Sequence, residues 1–63
     1  MKATFLPGNS DHTRVMWEVH EGDKWWTVCF LTSDGNYNIT GSTGREVSKD
    51  GRLGKRLIAA TQQ

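Results

Sequence analysis

From Thr13 to His20 the chain alternates, with Val15, Trp17 and Val19 on one side and Arg14, Met16, Glu18 and His20 on the other. A period of two built from β-branched and aromatic residues marks a strand with one buried face. Glu21-Gly22-Asp23 punctuates the pattern. It resumes over Lys24 to Thr32, setting Trp26, Val28 and Phe30 against Trp25, Thr27, Cys29 and Leu31. Ser33-Asp34-Gly35-Asn36 contains an Asp-Gly pair, whose residues accept the positive φ of a tight hairpin. Tyr37 to Gly41 follows as a short third strand, with Tyr37 and Ile39 facing the core. Ahead of these lies the turn-forming cluster Pro7-Gly8-Asn9-Ser10-Asp11, and before it Ala3-Thr4-Phe5-Leu6, either a short edge strand or an apolar arm.

Gly41-Ser42-Thr43-Gly44 breaks the alternation and reads as a connection from sheet to helix. Ser48 is placed to cap that helix, with Asp50 in its first turn, where the macrodipole favours an acid. Leu53, Leu57, Ile58 and Thr61 fall at helical spacing. Gly51 and Gly54 each cost about 1 kcal/mol against alanine inside a helix. Either the helix therefore begins near Arg52, or the glycines allow close approach to the sheet. The expected fold is α+β: a three-stranded antiparallel meander, with an optional fourth N-terminal strand, and one C-terminal helix on one face. Residues 1–63 form a single domain.

One helix covers one face, and the opposite face is not cleanly polar. Met16, Trp25, Cys29 and Leu31 all lie opposite Trp17, Trp26 and Phe30, whereas a solvated face should carry polar residues. That face calls for cover by the Phe5-Leu6 arm, by a second subunit or by a partner. Met16, Trp25 and Leu31 are accordingly the candidate protein-binding residues.

Composition narrows the chemistry. With one cysteine (Cys29) and two histidines (His12, His20), the chain has neither an internal disulfide nor a four-ligand zinc set. No metal and no cofactor is expected. Cys29 sits mid-strand among apolar residues, where a thiol behaves as a small hydrophobe, and Glu18, Glu21 and Asp23 cluster around a turn as solvated acids. No catalytic residue is assigned and an enzyme is not expected. No apolar run reaches the roughly 20 residues of a membrane-spanning helix, and no leader pattern opens the chain. A complete cytoplasmic protein is the expectation.

The formal net charge is +1, unevenly spread. Residues 1–44 carry three bases against five acids, whereas residues 45–63 carry Arg45, Lys49, Arg52, Lys55 and Arg56 against Glu46 and Asp50. Lys49, Arg52 and Arg56 recur at spacings of three and four, which would line one helical face. With Lys55 beside them and Arg45 in the Gly-Ser-Thr-Gly-Arg loop, they form the alternative, nucleic-acid-binding set, in which Trp25 or Tyr37 would stack on bases.

The layout resembles the small YegP-like domains, built from a β-meander and a closing helix. The resemblance runs from Trp17-Glu18-Val19 through Trp25-Trp26-Thr27-Val28, the Asp34-Gly35 turn and Ile39-Thr40-Gly41-Ser42 to Ser48-Lys49 and Leu57-Ile58-Ala59-Ala60. It implies a topology and no activity. The leading functional expectation is a small accessory, adaptor or inhibitor protein, of the kind phages and mobile elements encode. It would act through its aromatic sheet on a macromolecular partner, protein before nucleic acid, or on a second copy as a homodimer.

Overall fold

The computed structural model describes residues 1–62. It contains strands β1 (Lys2–Phe5), β2 (Arg14–Glu21), β3 (Lys24–Leu31), β4 (Asn36–Gly41) and β5 (Glu46–Val47), then helix α1 (Arg52–Ala60). Every strand pairs antiparallel with its neighbour in sequence, giving one five-stranded sheet in the order β1-β2-β3-β4-β5. The fold is α+β, as expected, but with five strands rather than three or four.

The N-terminal segment supplies one extra strand, and Glu46–Val47, brought back by the Gly41–Gly44 segment, the other. The Gly41–Gly44 segment does not lead from sheet to helix. Gly44 N–H donates to the Gly41 carbonyl at 3.0 Å, and Gly41 N–H to the Arg45 carbonyl at 2.8 Å. Gly44 sits at φ +83°, which closes a short hairpin loop and returns the chain beside β4. Strand β5 is only two residues long because the chain turns at once. Gly51 N–H reaches the Ser48 carbonyl, and Asp50 N–H reaches Ser48 Oγ. Ser48 thus caps a turn and not the helix. Gly51 is the N-cap, and Asp50 lies outside the first helical turn.

The register sorts the side chains into rows. On the helix side, Ala3, Val19, Trp26 and Gly41 form one row and Phe5, Trp17, Val28, Ile39 and Val47 the next, followed by Val15, Phe30 and Tyr37. Val19, Trp26, Val28, Ile39 and Leu57 are the buried core, with Leu53, Ile58 and Ala60 of α1 packed against it. Trp17 and Trp26 do share the helix-facing side. Phe30 is only half-buried and leans on Tyr37, ring centroids 4.9 Å apart.

Phe5 lies on this same side, tilted against Trp17 with centroids 6.4 Å apart. Phe5 therefore does not cover the opposite face; of this arm only Leu6, half-buried and opposite Met16, has the parity to do so. Strand pairing fixes the parity of Phe5 relative to Trp17 and sends its ring toward the helix. The chain leaves β1 through a hydroxyl splice. Leu6 N–H bonds to the Met16 carbonyl directly, while Met16 N–H donates to Ser10 Oγ at 3.0 Å and Ser10 Oγ donates to the Leu6 carbonyl at 2.8 Å. This keeps the backbone groups paired while Pro7–Asn9 turns away.

Candidate interaction surface

The face opposite α1 also divides into rows: Lys2, His20 and Trp25; then Thr4, Glu18, Thr27, Thr40 and Glu46; then Met16, Cys29 and Asn38; then Arg14, Leu31 and Asn36. Met16 and Leu31 stand on adjacent rows of neighbouring strands, within diagonal reach across β2 and β3. Together with Cys29 they make one half-buried apolar spot. Trp25 does not join them. It is 38% exposed and separated from that spot by the polar row that includes Glu18 and Thr27. Six residues along β3 amount to about 20 Å between Trp25 and Leu31. The three residues picked from the alternation thus share a face but form two sites.

Trp25 has a different set of neighbours. It borders a groove of about 300 Å³ at the end of the sheet, lined also by Lys24, Trp26, Ser42, Arg45, Val47 and Leu53. The walls are apolar where Trp26, Val47 and Leu53 meet, and Lys24 and Arg45 supply positive charge. Three separate elements build this recess: the β2–β3 hairpin, the β4–β5 loop and the first turn of α1. The sequence offered no signal for it, because the β4–β5 hairpin brings residues some 20 positions apart to one end of the sheet. A larger groove of about 610 Å³ runs along the outer side of β4, between Asn36–Ile39 and Val47–Asp50, and is mostly polar.

The basic set is dispersed. Lys49 precedes α1, so it does not share a helical face with Arg52 and Arg56; its Nζ donates to Asn36 Oδ1 at 2.9 Å. Arg56 pairs with Glu21 at 3.1 Å, beside the N-terminal amine. Arg45 stands in the β4–β5 hairpin. Arg52 and Lys55 are exposed and make no side-chain hydrogen bond or ion pair among the described residues. Tyr37 lies on the helix side, half-buried, its hydroxyl accepting from Gln62 at 3.2 Å, so it is not a free platform for a base.

Cys29 is half-buried, its cross-strand neighbours being Met16 and Asn38. His20 is bonded to Glu18 in the adjacent row, and His12 lies in the loop before β2. Asp11 has its carboxyl held below the ordinary range, first by the Thr13 hydroxyl and then by the backbone N–H groups of Thr13 and Arg14. These bonds all favour the ionised form.

No helix among the described residues is long and apolar enough to cross a membrane. No protein-family model, curated protein or solved structure matches this chain, so nothing there supports or opposes the YegP-like resemblance.

Proposed function

We propose that this chain is a small non-enzymatic protein-binding module, an accessory, adaptor or inhibitor that occupies a partner's surface with the end of its sheet around Trp25. One observation carries the reading: an exposed tryptophan stands beside an apolar recess floored by Trp26, Val47 and Leu53 and flanked by Lys24 and Arg45. A large aromatic next to a pocket with a charged rim is the anatomy of an interface hot spot. Its chemistry fits an apolar side chain of the partner, with an acidic residue nearby to meet the two cations. Met16 and Leu31 extend the contact along the same face as a second apolar spot.

The nucleic-acid reading rests on Arg52 and Lys55, the two cations of α1 without a partner among the described residues. Against it, Lys49 and Arg56 are already engaged, and the five bases do not form one array. The test is capture from the source proteome on immobilised wild type and on Trp25→Ala, each verified as folded by its melting curve. A partner retained by wild type and lost by Trp25→Ala supports the module. Retention by both forms, or binding of generic duplex that weakens steeply with salt, overturns it.

A further inference from the structure

We infer that the outer edge of β1 is a self-complementary pairing edge, and that two copies of this chain join there into one ten-stranded sheet. The inference is independent of the partner reading, because it uses the β1 edge, none of whose residues lines the groove beside Trp25.

Strand β1 is the first of the five, so only β2 pairs with it. Leu6 N–H points at Met16, and in an antiparallel ladder the direction of the backbone groups alternates. Lys2, Thr4 and Leu6 therefore bond inward, while the N–H and C=O groups of Ala3 and Phe5 point away from the sheet. An open edge of this kind invites another strand unless charge, proline or a bulge protects it. The side chain of Lys2 points to the face opposite α1 and does not shield the helix-side row.

A two-fold axis at Thr4 sets Thr4 against its own symmetry mate and Ala3 against the partner copy's Phe5. Each strand then exchanges both bonds at both outward residues. Shifting the register one way brings in Pro7, which has no N–H. Shifting it the other way brings in Met1, whose amine lies 3.9 Å from Glu21. In the centred register Lys2 faces Leu6, so no like charges meet.

The side chains are complementary as well. Phe5 is 51% exposed at one end of β1. At the other end, just before Lys2, a groove of about 270 Å³ is lined by Met1, Arg56, Ala59 and Ala60. Antiparallel pairing lays each Phe5 over the other copy's Ala3, on the side where α1 presents those small alanines. The apolar row Val47, Ile39, Val28, Trp17, Phe5 then continues into Ala3, Val19 and Trp26 of the second copy. A chain this short gains from such a shared core.

The decisive experiment places a cysteine on the axis. In a Cys29→Ala background, Thr4→Cys should oxidise to a covalent dimer in air, since facing residues of a non-hydrogen-bonded pair lie about 4.5 Å apart, within disulfide range. Lys2→Cys in the same background should remain unlinked, its mate being about 13 Å away along the strand. Sedimentation equilibrium of the unmodified chain should show a concentration-dependent dimer. Phe5→Lys should weaken it by about thirtyfold, as loss of an anchoring aromatic does. A chain that stays monomeric to millimolar concentration, or a dimer insensitive to Phe5→Lys and linked through Lys2→Cys instead, overturns the inference.

Discussion

Gly54, in the first turn of α1, lies against the carbonyl of Ser48 so closely that a Cβ on Gly54 would fall on that oxygen and come within 2.9 Å of Lys49 Cα. The obstacle is backbone, which cannot rotate aside. Alanine ordinarily stabilises a helix over glycine by about 1 kcal/mol. Here the sign reverses: Gly54→Ala should destabilise by about 2 kcal/mol or more, through forced separation of α1 from the Ser48–Asp50 turn. Gly51→Ala meets only ordinary contacts, the nearest at 3.5 Å, and should change the midpoint of urea unfolding far less. Equal midpoints for the two variants would refute this account.

Trp25 and Trp26 are adjacent in sequence and opposite in the sheet. Trp26 is buried in the core, and its truncation to alanine should cost about 3–5 kcal/mol, most of the stability available to so small a domain. Trp25→Ala should leave the thermal midpoint nearly unchanged while weakening the partner by about thirtyfold. Paired melting curves and a binding isotherm separate the two roles.

Asp11 anchors the turn into β2 by accepting from Thr13 and Arg14. Its folded pKa is depressed, so its contribution is present above the unfolded value of about 3.9 and is lost as pH falls through the lower folded value. Asp11→Ala should therefore be less stable than wild type at pH 7, and the gap should close in acid below about pH 4. Denaturation at a series of pH values checks this; a gap that persists unchanged in acid would assign the effect to something other than the carboxylate.

Reversing Arg52 and Lys55 to glutamate removes the two cations of α1 that have no partner among the described residues, leaving Arg56 with Glu21. The fold should survive, since Leu53 and Leu57 still face the core. A protein partner held at Trp25 should bind about as before. If instead nucleic acid is bound, each lost phosphate contact should lower the salt slope by about one unit.

Alternation alone placed three strands and their core residues, because side chains with a period of two leave a local imprint wherever one face is dry. It identified the side shared by Trp17, Trp26, Val28 and Ile39, while the helical spacing of Leu53, Leu57 and Ile58 marked the helix but left its start open between a Ser48 cap and Arg52. Other features carried no local imprint. The same Gly-Ser-Thr-Gly residues serve a sheet-to-helix connection or a hairpin, and only the return of Glu46 and Val47 to β4 distinguishes them. Phe5 could face either side until its pairing with Trp17 set its parity. The basic residues look periodic in sequence, but Lys49 falls before the helix because Gly51 caps it. The sequence by itself determined which residues avoid water. The tertiary structure decided how they meet, because register, hairpin closure and the approach of Ser48 to Gly54 are set by backbone pairing and packing, which the hydrophobic pattern of the side chains does not encode.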